Sequence, residues 1–135
     1  MRVSHTWRGA GSAIFLELGK LRRDSTGHQP RGEAHIMIEW SWRIESPRAI
    51  LLGSWSQERK ITNGVRSLRE HRIASIALPT RLPEVSIALT GGRWVHSFMT
   101  ADGQPEWTIF LHDGSWLCVE RGHIVHDGDV DWRRK

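Results

Sequence analysis

The sequence predicts a mainly β protein: an antiparallel meander of about eight strands, forming a curved sheet or sandwich with one short helix packed on it. Three observations lead there. A hairpin motif occurs twice in the C-terminal half, hydrophobic residues alternate with period two over residues 36–44, and helical period is confined to residues 57–72. With 135 residues, 39% hydrophobic and 25% charged, the chain suits one packed domain over 1–135 with a polar tail at 128–135.

Taken in order, Ile14, Phe15, Leu16 and Leu18 form a short β-like run, and the turn formers between Arg22 and Gly32 make the next stretch a loop. A clean alternation follows, with Ile36, Ile38, Trp40, Trp42 and Ile44 on the buried side of one strand and His35, Glu39, Ser41, Arg43 and Glu45 on the wet side. Pro47 ends it. Ala49 to Leu52 reads as the next strand, a neighbour of the first, closing at Gly53-Ser54.

Ile61, Val65 and Leu68 then recur at spacings of four and three, placing them on one side of a helix with Arg59, Arg66 and Arg69 outward. Gly64 weakens that helix, and Thr62 or Asn63 is suited to cap its start. Arg72 to Leu78 reads as a strand stopped by Pro79, and Pro83 opens another alternation.

The repeat comes next. Ile87-Ala88-Leu89-Thr90-Gly91-Gly92-Arg93-Trp94-Val95 and Ile109-Phe110-Leu111-His112-Asp113-Gly114-Ser115-Trp116-Leu117 share one pattern displaced by 22 residues. Gly91-Gly92 and Asp113-Gly114 suit two-residue hairpin turns, which need positive φ. The implied register sets Leu89 opposite Trp94, Ile87 opposite His96, Leu111 opposite Trp116 and Ile109 opposite Cys118. Each hairpin is therefore expected to bury a Leu and Trp pair. Phe110 opposite Leu117 adds an apolar reverse face, which calls for a central place in the sheet or a covering helix.

The segments Phe15-Leu16-Glu17-Leu18-Gly19 and Glu33-Ala34-His35-Ile36-Met37-Ile38-Glu39-Trp40-Ser41-Trp42-Arg43-Ile44, with the closing hairpins carrying Trp107 and Asp113-Gly114, together resemble an uncharacterised family of small bacterial β-rich accessory proteins. The resemblance covers most of the chain, and its motifs are structural. It implies a β fold and carries no catalytic residue across. By analogy of size and style it implies an immunity-type partner of a bacterial toxin.

Composition narrows the function classes. One cysteine, Cys118, excludes an intrachain disulfide and a thiolate zinc cluster, and suits a reducing compartment. The first residues lack the apolar core of a signal peptide, and no window approaches a membrane span, so the expectation is a cytoplasmic protein with no membrane contact. The formal charge of +4 and pI near 10.2 reflect 19 Lys plus Arg against 15 Asp plus Glu, but the cations are scattered among acids. Nucleic-acid binding is accordingly expected to be weak and salt-sensitive. Eight Trp and no Tyr with an excess of Arg is a usage that a GC-rich genome produces without functional demand.

No catalytic set is complete. His123, His126 and Asp127 offer metal-ligand chemistry, but residues three apart on a strand face opposite ways. His96, expected on the core face, and His112, beside the Asp113-Gly114 turn, lack a nucleophile. Cys118 reads as an inert core thiol. Glu39 and Glu45 lie roughly 20 Å apart along one strand, too far for a glycosidase pair. Gly9-Ala10-Gly11-Ser12 is a turn without the Lys of a phosphate loop.

What remains is a surface. Arg59, Arg66, Arg69 and Arg72 on the helix side, with Trp55 just before it, combine the two residue types that dominate interface energy. The expected function is a non-catalytic protein-binding module, immunity- or antitoxin-like, without cofactor, whose partner presents an acidic surface. The alternatives are a nucleic-acid-binding accessory protein and a His/Asp metal-dependent hydrolase.

Overall fold

The computed structural model describes residues 1–23, 28–102 and 107–126. Its elements are β1 (Val3–Arg8), β2 (Ile14–Leu18), β3 (Ala34–Ile38), β4 (Trp42–Glu45), β5 (Ile50–Gly53), α1 (Glu58–Arg66), β6 (Ile73–Ala77), β7 (Ser86–Leu89), β8 (Arg93–Ser97), β9 (Trp107–Leu111), β10 (Trp116–Glu120) and β11 (His123–His126). They form a six-stranded sheet in the order β1-β2-β3-β9-β10-β11 and a five-stranded sheet in the order β5-β4-β8-β7-β6. All strand pairs are antiparallel. The mainly β class with a short helix holds, with eleven strands among the described residues rather than about eight. The whole second sheet is inserted between β3 and β9 of the first.

The two sheets share one core, in which Ile14, Leu16, Ile36 and Ile38 from the first sheet meet Trp42, Ile44, Ile87 and Val95 from the second, each at most 1% exposed. Each such side chain stabilises the fold by roughly 1.5–3 kcal/mol through its removal from water. No helix among the described residues is long and apolar enough to cross a membrane.

The single strand expected over residues 36–44 is two strands in two sheets. The expected alternation survives on either side of the break because the inner faces of both sheets point at the same core, but Ser41, expected on the wet side, is only 3% exposed. Its interruption is Trp40, which takes a left-handed φ of 62° and is 54% exposed instead of buried. Residues 39–41 are thus the corner at which the chain changes sheet.

β1 was hidden from the sequence by a bulge between Val3 and His5, which stretches the spacing of the fully buried residues to three, Val3 to Thr6. β11 escaped as well. A two-residue turn with φ of 51° at Arg121 and 78° at Gly122 folds it onto β10.

Both predicted hairpins form, each one residue out of the expected register. Leu89 pairs with Arg93, Ile87 with Val95, Ile109 with Leu117 and Thr108 with Cys118. The loops hold three residues rather than two, and in the second a left-handed Gly114 with φ of 91° closes the turn. Because the side-chain period is two, a slip of one changes every partner. His96 therefore faces Ser86 instead of Ile87, Trp94 and Trp116 are half-buried, and Leu111 is exposed, so the expected buried Leu and Trp pairs do not form. Phe110 lies opposite Trp116, not Leu117, on a strand that is central in its sheet.

The helix starts earlier than predicted, with Gln57 at its N-cap position and no side-chain cap from Thr62 or Asn63. Ile61, Val65 and Leu68 are buried as their spacing requires. α1 packs on β1 and β5. Gly64 has a packing reason, since a Cβ there would meet Leu52 Cδ2 at 2.4 Å. The tail at 128–135 lies outside the described residues.

Candidate functional site

A cleft of about 680 Å³ opens where the β1–β2 turn, the corner between β3 and β4, the loop between β5 and α1 and the first turns of α1 meet, with Thr100 also on its lining. The Gly9-to-Ser12 stretch, read from sequence as a turn, is the β1–β2 connection and forms one wall, with Gly9 N–H donating to Ala13 O at 2.9 Å.

Two tryptophans stand at this cleft. Trp40 is held in its left-handed conformation from both sides, because Ser12 Oγ donates to Trp40 O at 2.6 Å and the Trp42 indole donates to Ser12 O at 2.7 Å. Trp55 is 89% exposed at the tip of a loop whose shoulders are tied down. Ser54 N–H donates to Trp42 O at 2.9 Å, Trp42 N–H donates to Ser54 Oγ at 3.2 Å, and Gly53 N–H donates to Ser56 Oγ at 3.0 Å. Both indoles are thus carried on fixed backbones, which lowers the entropy a partner must remove on binding. A non-glycine residue with positive φ and a large exposed ring both go against folding stability, and such features concentrate at binding surfaces.

Charge in the cleft comes from Glu39, Glu58 and Arg8. Burial pushes the Glu39 carboxyl above its ordinary value. Arg8 NH1 donates to Glu58 at 2.6 Å and to Thr62 Oγ1 at 3.1 Å, and that hydrogen bond holds Glu58 below the usual carboxylate range. Arg8 Nε is buried without an acceptor among the described residues.

Of the residues the sequence singled out, Trp55 lines this cleft and Arg59 lies exposed on the helix close behind it. Arg66, also exposed, shares the outward side of α1 with Arg59, since seven positions make about two turns. Arg69 is not part of a free face. It is half-buried and clamps β1, donating from Nε to Thr6 Oγ1 at 3.0 Å and from NH2 to Thr6 O at 2.8 Å. Arg72 lies beyond the helix, exposed and bridged through its backbone to Arg2. Sequence reasoning missed Trp40, Glu39, Ser12 and Arg8. Glu39-Trp40-Ser41 contains no Gly, Pro or Asn to mark a corner, and the flanking alternation conceals it.

The remaining candidates do not line this cleft. His123 and His126 are exposed on β11, where residues three apart point to opposite faces, and Asp127 lies outside the described residues. No group of three metal-ligating side chains occurs among the described residues. His112 is exposed beside its turn. Cys118 is half-buried opposite Thr108, its thiol pushed up by burial and by Glu120.

His35, expected on the wet side, is 5% exposed, covered by the rings of Phe15 and Phe110 and bonded through Nδ1 to the fully buried Glu17. No family model, curated protein or solved structure matches the chain.

Proposed function

We propose that the protein is a non-catalytic protein-binding module, of the immunity- or antitoxin-like kind, that engages its partner through Trp40 and Trp55. The single observation that carries this reading is the pair of exposed indoles at one cleft, each on a backbone locked by hydrogen bonds. Tryptophan and arginine dominate interface energies when they seat in a desolvated patch. Arg59 and Arg66, exposed on the outward side of the adjoining helix, favour a partner whose surface around that patch is acidic.

The test is a pull-down from the native host with wild-type protein, identification of the captured protein, and affinity measurement on the purified pair. Trp55→Ala and Trp40→Ala should each weaken binding about thirtyfold or more, the range of an interface hot spot. Arg59→Glu combined with Arg66→Glu should slow association. Capture of nucleic acid alone, or an affinity that neither tryptophan variant alters, would sink the proposal.

A further inference from the structure

We propose that the groove between α1 and β1 binds a phosphate monoester through Arg8, Arg66 and Arg69. This groove, about 350 Å³, is separate from the tryptophan cleft and shares Arg8 with it. Three arginines line it, and no carboxylate does. Glu58, on the other side of Arg8, takes one nitrogen of that guanidinium and leaves Nε buried without an acceptor among the described residues.

Each arginine keeps donors for a ligand. Arg69 spends Nε and NH2 on Thr6, which fixes its plane and leaves NH1 unused among the described residues. Arg66 is exposed and reaches the groove from the helix side. Thr62 adds a hydroxyl. Like charges gathered in a groove repel one another, and an anion that enters removes this repulsion while gaining charge-assisted hydrogen bonds.

A phosphate monoester fits better than a carboxylate, because it carries close to two charges and three acceptor oxygens against the three arginines that line the groove. Trp7 on the same wall offers apolar contact to the esterified group. The cations are gathered in one short groove rather than laid along a strand-length stripe, so the arrangement selects a terminal phosphoryl group over the diester backbone of a nucleic acid.

The experiment is titration calorimetry of the intact protein at constant ionic strength with inorganic phosphate and with phenyl phosphate, on wild type, Arg66→Ala, Arg8→Gln and Arg48→Ala. Arg48 is exposed and outside the groove, so its variant controls for loss of one positive charge. Saturable one-to-one binding is expected, tighter for phenyl phosphate than for inorganic phosphate. Arg66→Ala and Arg8→Gln should each weaken it about tenfold or more, the usual loss for a hydrogen bond to a charged group, and Arg48→Ala should leave it unchanged. Should Arg8→Gln fail to fold, the exposed Arg66 decides the matter alone. Heats that do not saturate, an equal loss in Arg48→Ala, exclusion of phenyl phosphate, or displacement of phenyl phosphate by an equimolar single-stranded oligonucleotide lacking terminal phosphates would each overturn the proposal.

Discussion

Truncating His35 to alanine removes the one close donor from a carboxylate that has no access to water. Glu17 is 0% exposed, and its oxygens lie 2.5 and 2.7 Å from His35 Nδ1. The other donors are distant, the Trp7 indole at 3.4 Å and Gly32 N–H at 3.5 Å. Arg31 NH1 faces His35 Nε2 at 3.4 Å, which assigns the tautomer with the proton on Nδ1. Leaving a fully buried carboxylate without its one close hydrogen-bond donor costs about 1–3 kcal/mol or more, the desolvation penalty of an unsatisfied group. Against a total stability of about 5–15 kcal/mol for an ordinary domain, that is a large fraction. Replacing both partners by leucine should instead be nearly neutral or stabilising, because no buried polar group is then left unsatisfied. Urea unfolding at pH 7 of wild type, His35→Ala and the double Glu17→Leu, His35→Leu variant reads both values. A single-variant loss under about 1 kcal/mol, or a double variant as unstable as the single one, would refute the account of this pair.

Four further outcomes are expected. Trp40→Gly should raise the urea midpoint, by about 1 kcal/mol in stability, because glycine accepts the left-handed backbone without a Cβ penalty; a loss of that size would mean the ring packs where it is now read as presented. Gly64→Ala should lower thermal stability by about 1–3 kcal/mol through overpacking against Leu52, although alanine improves helix propensity by about 1 kcal/mol, and a higher melting temperature would contradict the close approach. The His96 value is held below its ordinary 6.5 by burial and by Arg43, so the unfolded chain binds its proton first as pH falls. Its contribution to stability is thus present above 6.5 and lost as pH drops below it, and His96→Gln should flatten a stability-against-pH curve there. Glu39, raised above 4.5, acts in the opposite sense: stability declines as pH rises through the window just above 4.5.

Local chemistry decided a good deal of this protein from sequence alone. The period of two at Ile36, Ile38, Trp42 and Ile44, and the four-and-three spacing of Ile61, Val65 and Leu68, determined which side chains are buried, because both patterns depend only on the geometry of the element that carries them. The turn glycines marked both C-terminal hairpins for the same reason.

The register of those hairpins, the corner at Trp40 and the site itself were decided by tertiary structure. Trp40 lies in a run that reads as one strand, and it leaves the core because Ser12, 28 residues earlier, binds its carbonyl. Trp55 was legible as a candidate because it stands outside any alternation, whereas the cleft beside it is assembled from segments that only the insertion of one sheet into the other brings together. His35 shows the same limit. Alternation put it correctly on the outer face of its strand, but its burial depends on Phe110 from β9 and on a carboxylate from β2, and contacts between strands so distant in sequence leave no periodic trace within either one.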